Sequence, residues 1–473
     1  MTKYINLYGP PGTGKTTTLT EMVAKAADKG SVVVLSYTKA AAKEIASRIA
    51  GGTKYPVRAG TIHSFCFQNA GMMSKSVVND AKLADFSREI GIPIASSNLA
   101  ATIDYEQQEV GNAYLRLISL ARASMALYGF TYEHSERPGD YNEFEKFQRG
   151  YESWKRTYGF YDFDDMLEVG GTNQPIKLAD FVFVDEAQDL SPMQWCVVET
   201  WASHSRAAVV AGDDDQAIHE WAGADPHGMA KFAERYGSES RVLSVSHRLP
   251  VSVYDLSKRI ISEVSARVDK PFTPASDRPG QVNRSGSMYG AALSPGTLVL
   301  ARNHMIFSEM TAAFNEMHIP YSGAGSPLYR GLAELAIGFH ESRGGHLSMP
   351  ALYMARRIYG DKRADAIANG EPMPFDPLVF YHQDGSGEYL GGIIAKYGSI
   401  TAARAKQVEL CTIHSAKGRE ANNVVLINGM TNRTADNWAR NRDSELRVFY
   451  VGATRARESL TVVDWENAVE IFD

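Results

Sequence analysis

Gly9-Pro10-Pro11-Gly12-Thr13-Gly14-Lys15-Thr16 is the stretch that decides the reading of this chain. It lies between a short apolar-rich run, residues 4–8, and a segment, residues 16–29, whose apolar residues recur near helical spacing. The pattern is G-x-x-x-x-G-K-[ST], set between a strand and a helix as that pattern requires. Glycines let backbone N–H groups curl around phosphate oxygens, and the helix that follows points its partial positive charge at the anion. Gly9, Pro10, Pro11, Gly12, Thr13, Gly14, Lys15, Thr16 and Thr17 therefore form a cradle for a nucleoside triphosphate, ATP or GTP. Lys15 reaches the terminal phosphates and Thr16 offers its hydroxyl to Mg²⁺.

Such a cradle needs a second carboxylate for the metal. Phe181-Val182-Phe183-Val184-Asp185-Glu186 supplies one: four apolar residues read as a buried strand, and the acids emerge at its C-terminal end, where α/β sheets place ligands. Asp185 is the expected Mg²⁺ partner and Glu186 the group that polarises the attacking water. A second strand pattern, residues 207–211, leads into Gly212-Asp213-Asp214-Asp215-Gln216. Three adjacent acids read by themselves as a solvated loop, unless Gln216 stands near a γ-phosphate.

Outward from these motifs, residues 31–35 give a buried-strand pattern and residues 40–50 a helical one. Strands alternating with helices predict a parallel sheet. Residues 70–170 read as mostly helical, and a second α/β region follows about residue 245, with strands expected at 297–301, 409–412 and 424–427. Residues 331–404 read as a mixed, glycine-containing insertion. The expected class is α/β: two α/β units, each interrupted by a mainly helical or mixed insertion.

The 473 residues are 44% hydrophobic and 22% charged, an ordinary globular balance. A net charge of −6 neither suggests nor excludes nucleic acid, because a basic groove fits inside an acidic protein. Cys66, Cys196 and Cys411 are far apart, which argues against a disulfide framework or a metal cluster. The first strand pattern begins at Met1-Thr2-Lys3, so no signal peptide is expected. No apolar run reaches the roughly 18 residues of a membrane span. A cytoplasmic protein without a membrane partner is the expectation.

Further segments, in order, carry a family resemblance. Ser36-Tyr37-Thr38-Lys39-Ala40-Ala41-Ala42, Gly60-Thr61-Ile62-His63-Ser64-Phe65, Tyr161-Asp162-Phe163-Asp164-Asp165-Met166-Leu167, Glu186-Ala187-Gln188-Asp189, and Gly212 to Gln216 with Trp221 resemble the motif series of superfamily 1 helicases of the UvrD/Rep/PcrA type. Ser246-His247-Arg248, Thr412-Ile413-His414-Ser415-Ala416-Lys417-Gly418-Arg419-Glu420 and Tyr450-Val451-Gly452-Ala453-Thr454-Arg455-Ala456 resemble the later motifs.

The resemblance implies two RecA-like P-loop motor domains that close around ATP and Mg²⁺. The first is expected at 1–68 and 175–245, interrupted by a helical insertion at 69–174. The second is expected at 246–330 and 405–473, interrupted by a reduced insertion at 331–404. It implies that Arg248 and Arg455 meet the γ-phosphate as bidentate, permanently charged groups, although a lone arginine is more often a surface ion pair. Lys15, Asp185, Glu186 and Gln216 complete the catalytic set, and His247, Gly418 and Glu420 join the nucleotide site. Single-stranded DNA would meet Tyr37, Thr38, Thr61, His63, Ser64, His219, Trp221, His414 and Ser415, with Trp221 the main base-stacking face. The implied activity is ATP-dependent 3′–5′ translocation on single strands and opening of duplexes at single-strand/double-strand junctions, in repair or replication, in a bacterium or a phage-infected one. An RNA- or hybrid-directed helicase and an NTPase switch within a repair or defence complex are the alternatives.

Four departures stand out. The family's glutamine-containing adenine element is not expected upstream of Gly9. His247 stands where the family has a tyrosine that stacks on the base, so weaker base discrimination is expected. The family's large second insertion is trimmed to residues 331–404, and Ala222 follows Trp221 where many relatives have arginine.

Overall fold

The computed structural model describes residues 2–37, 39–49, 53–96, 109–135, 137–172, 177–291, 293–323, 325–341, 347–380 and 385–472. The chain divides into two compact units, residues 1–247 with 266–273, and residues 248–265 with 274–473. Among the described residues each unit holds one six-stranded sheet in which every pairing is parallel. Both units have the RecA-like α/β architecture.

In the first unit the strands are β1 (Lys3–Tyr8), β2 (Val32–Ser36), β3 (Val57–Thr61), β4 (Phe181–Asp185), β5 (Ala207–Gly212) and β6 (Glu239–Val242), in the order β3-β2-β4-β5-β1-β6. The near-continuous apolar runs of β2 and β4 follow from burial on both faces. Val32, Val34, Phe183 and Val209 pack on Leu19 and Val23 of α1 (Lys15–Ala27) and Ile45 of α2 (Lys39–Ile49). Val33, Leu35, Val182 and Val184 face Trp195, Val198, Trp201 and Phe232. The order places β4 at the centre, between β2 and β5, so Asp185 emerges with neighbours on both sides.

The helical insertion of this unit closes over an aromatic core of Phe86, Tyr114, Phe144, Phe147, Tyr151 and Trp154. Beside it lies a buried charge cluster. Arg122 reaches Asp162 at 3.1 Å and Asp165 at 2.7 Å, and Lys155 reaches the same two acids at 2.6 and 2.8 Å. Asp162 and Asp165 also form a capping box at Phe163–Leu167. The cluster ties the segment after residue 160 to the insertion helices Val110–Ala123 and Tyr141–Tyr158.

In the second unit the strands are β7 (Gln281–Ser285), β8 (Leu298–Ala301), β9 (Tyr321–Ser322), β10 (Val408–Thr412), β11 (Ala421–Asn428) and β12 (Ala456–Asp464), in the order β9-β10-β8-β11-β12-β7. Residues 331–404 correct the mixed reading: their described part is helical, Gly331–His340, Met349–Tyr359, Asp361–Ala368, Pro377–Phe380, Ser386–Tyr397 and Ile400–Arg404. Nor do they form a separate body. Leu332, Ala336, Leu390 and Ile393 share one core with Val299, Tyr321, Val408 and Leu410 of the sheet. The glycines that gave the stretch its irregular look serve close packing. A Cβ at Gly392 would lie 2.0 Å from His318 Cδ2. Residues 266–273, expected in the second motor domain, belong to the first unit, where Val268 packs against the core.

Candidate nucleotide site and nucleic-acid interface

The phosphate loop joins β1 to α1. Its entry is pinned by Gly9 N–H donating to Gly212 O at 2.9 Å, and its crest by the Thr13 hydroxyl donating to Pro10 O at 2.8 Å. A Cβ on Gly9 would meet the Lys15 Cβ at 2.6 Å, so only glycine lets the loop fold back on its lysine. Helix α1 begins at Lys15, which leaves the amides of Lys15, Thr16 and Thr17 as its unsatisfied N-terminal donors. Ser246 and His247 close the other side: the Ser246 hydroxyl donates to Pro11 O at 2.7 Å and His247 N–H to Gly12 O at 2.9 Å. The His247 ring itself is exposed.

Lys15 Nζ lies 2.6 Å from Glu186 Oε1 and 3.8 Å from Asp185 Oδ1. Burial works against the lysine charge, but Glu186 and then Asp185 outweigh it and raise its pKa. Burial pushes the Asp185 carboxyl up to about 6, Lys15 opposing and Glu186 adding to the shift. Glu186 has φ 53°, the left-handed region that non-glycine residues rarely occupy. It breaks the chain out of β4 and turns the carboxylate back toward Lys15. Gln188 then bridges two strand ends, its amide donating to Glu186 Oε2 at 2.5 Å and its oxygen accepting from Asp213 N–H at 3.0 Å.

A divalent cation fits here by donor chemistry. Asp185 Oδ1 and the Ser36 hydroxyl are buried oxygens without a hydrogen-bond partner among the described residues. Ser36 and Asp185 are register partners on β2 and β4, so both project from the sheet face that carries α1. Hard oxygen donors of this kind suit Mg²⁺ or its water shell.

The acids after β5 overturn the solvated-loop reading. Asp213, Asp214 and Asp215 are 0%, 3% and 1% exposed. Gln216 donates its amide to Asp213 Oδ2 at 2.6 Å.

The other nucleotide-site candidates lie in the second unit. Glu420 Oε2 accepts from Arg248 Nε at 2.5 Å and Glu420 Oε1 from Arg457 Nη1 at 2.8 Å. Burial opposes ionisation of Glu420, but Arg248 leads the arginines that hold its carboxyl below the usual range. Arg455 is 1% exposed, its guanidinium donating to Val451 O at 2.8 Å, Arg419 O at 3.3 Å and Thr454 Oγ1 at 3.0 Å. Gly418, two residues before Glu420, has φ 80°.

The aromatic candidates of the first unit come together. Tyr37 stacks on His219 with centroids 5.4 Å apart and planes at 24°, and His219 meets Trp221 edge-on at 6.2 Å. Trp221 is 62% exposed, the unsatisfied end of this ring ladder. Thr61 caps α3 (Ile62–Asn69) by accepting from Ser64 N–H, and the Ser64 hydroxyl donates to Thr61 O, so both are locally engaged. Burial lowers the His63 pKa to about 4, leaving a neutral ring edge-on to the exposed Phe163. In the second unit Ser415 N–H donates to Thr412 Oγ1, with His414 beside it in the same turn. Thr38 lies outside the described residues.

The family model described as the UvrD/REP helicase N-terminal domain matches residues 1–237, and the UvrD-like helicase C-terminal domain matches residues 396–467. The chain belongs to the UvrD/REP helicase family. The ATP-dependent DNA helicase UvrD2 of Mycobacterium tuberculosis is 26% identical over 286 residues, 54% of this chain and 41% of that protein. The ATP-dependent DNA helicase srs2 of Schizosaccharomyces pombe is 25% identical over 305 residues, 57% of this chain and 34% of its own. The chain thus spans between about a third and two fifths of the length of these curated relatives. Among solved structures, the arterivirus nonstructural protein 10 helicase covers 98% of this chain and 59% of its own, with 13% identity and a TM-score of 0.35.

Within this UvrD/REP-family chain, sequence reading missed Ser36, Gln188 and Phe163. Gln188 lay in plain view between Glu186 and Asp189. Ser36 and Phe163 sit inside quoted motifs, but only strand register and exposure distinguish them from their neighbours. Among the described residues no helix is long and apolar enough to cross a membrane.

Proposed function

We propose that this protein is an ATP-driven translocase on single-stranded DNA that opens duplexes at single-strand/double-strand junctions, moving 3′ to 5′. One observation supports this most: three adjacent strands of one sheet carry both halves of the function. Central β4 ends in Asp185 and Glu186, while its neighbours β2 and β5 run into the loops that bear Tyr37, His219 and Trp221. A change at the nucleotide's terminal phosphate is therefore one strand away from a change in the grip on a base.

In this reading the amides of Lys15, Thr16 and Thr17 take the phosphates, and Lys15 exchanges Glu186 for the terminal phosphate oxygens. The released Glu186 carboxylate then polarises water in line with the γ-phosphate, and Gln216 orients it. Asp185 and Thr16 would hold Mg²⁺, which supplies neutralisation of the phosphate charge. Arg248 and Arg455 are assigned to the γ-phosphate, Glu420 to steering Arg248, and His247 to the base end of the nucleotide. The ring ladder ending at Trp221 stacks on bases, with Phe163 and neutral His63 as a second apolar face; His414 and Ser415 take phosphate or sugar. ATP hydrolysis with and without single-stranded DNA, followed by unwinding of duplexes bearing a 3′ or a 5′ tail, tests this reading. Opening of the 5′-tailed substrate alone would reverse the polarity.

A further inference from the structure

The chain leaves the first unit after His247, returns to it for residues 266–273, and leaves again. The returning segment reaches all three buried acids after β5. Arg267 forks onto Asp215, Nε to Oδ1 at 2.8 Å and Nη2 to Oδ2 at 2.6 Å. Val268 N–H donates to Asp214 Oδ2 at 2.8 Å. Lys270, its side chain 1% exposed, places Nζ 2.5 Å from Asp214, 3.0 Å from Asp215 and 3.4 Å from Asp213.

A buried carboxylate triplet needs cations, but a neutral loop would be simpler than three acids and a returning strap to neutralise them. What the acids achieve lies on their other side. Asp213 accepts the Gln216 amide, and its N–H is held by Gln188, whose amide holds Glu186, which holds Lys15. An unbroken polar run therefore joins Lys270 to the phosphate-binding lysine.

We propose that Lys270 is a positioning residue for ATP hydrolysis: it anchors Asp213, and Asp213 sets the orientation of Gln216. The segment that carries Lys270 is continuous at both ends with chain of the second unit. The inference rests on the reading of Gln216 and Glu186 as groups that act on the terminal phosphate.

The test is a steady-state ATPase cycle, in the presence of single-stranded DNA, on the full chain: wild type, Lys270→Met, Gln216→Ala and the double variant. Lys270→Met is expected to lower kcat about ten- to hundred-fold with little change in KM for ATP. Adding it to Gln216→Ala is expected to cost almost nothing more. Because loss of Lys270 removes the ammonium beside Asp213 and Asp214 while Arg267 still pairs with Asp215, the cycle is repeated with Lys270→Met/Asp214→Asn, which restores the net charge of the cluster, with thermal melting to verify the fold. Independent, multiplying losses of kcat in a folded protein would overturn the proposal, as would a Lys270 variant with normal kcat. An inactive wild type would instead remove the functional reading on which it stands, and the inference with it.

Discussion

The Lys15 ammonium and the Glu186 carboxylate form a 2.6 Å ion pair in a site where Asp185 is the next acid. The pair engages both charges, and Gln188 holds the other oxygen of Glu186. In the proposed function a terminal phosphate competes with Glu186 for the lysine.

Glu186→Gln is therefore expected to separate binding from turnover. The neutral amide releases Lys15, so nucleotide affinity stays at least as high as in the wild type, while kcat falls by about 10²–10⁴. Fluorescent-nucleotide titration and steady-state ATPase measure the two effects. Near-normal turnover would remove Glu186 from its assigned role. Lys15→Ala should abolish hydrolysis and leave the fold intact.

The exposed indole of Trp221 caps a ladder whose inner rungs, His219 and Tyr37, already have ring partners. Trp221→Ala is expected to weaken binding to a short oligonucleotide by ~1–3 kcal/mol, measured by fluorescence anisotropy. An unchanged affinity would place the strand elsewhere.

His247 is held at the phosphate loop by its backbone N–H, with its ring exposed. An imidazole offers less stacking area than a tyrosine ring. Parallel hydrolysis assays with ATP, GTP and CTP should show modest discrimination, and a strong ATP preference would contradict this.

The described part of residues 331–404 shares the core of the second unit. Leu390 is fully buried among them, so Leu390→Ala should cost about 2–5 kcal/mol in denaturant unfolding of that unit. Deleting residues 335–400 should prevent the second unit from folding rather than release a restrained motor. A folded, active deletion variant would show the segment to be a separable regulator.

What the sequence disclosed followed from locality. The phosphate loop and the β4 acids are contiguous, and the strands that bear them are buried on both faces, so apolar runs mark them. The acids 213–215 were misread because their cations, Arg267 and Lys270, lie 52 and 56 residues further on. The edge strand β7, Gln281–Ser285, has only polar or exposed residues and so no alternation to detect. The 331–404 helices were obscured by glycines whose purpose, close approach to residues such as His318, is tertiary. The roles of Arg248 and Arg455 came from family resemblance alone, since neither residue's local sequence encodes a phosphate partner.

ATPase rate as a function of single-stranded DNA concentration is the most direct measurement of the central claim. The shared strands β2, β4 and β5 predict a strongly DNA-stimulated rate that Trp221→Ala shifts to higher DNA concentration and Glu186→Gln eliminates. Hydrolysis that proceeds at the same rate with and without DNA would contradict a translocase and leave a nucleotide switch in its place.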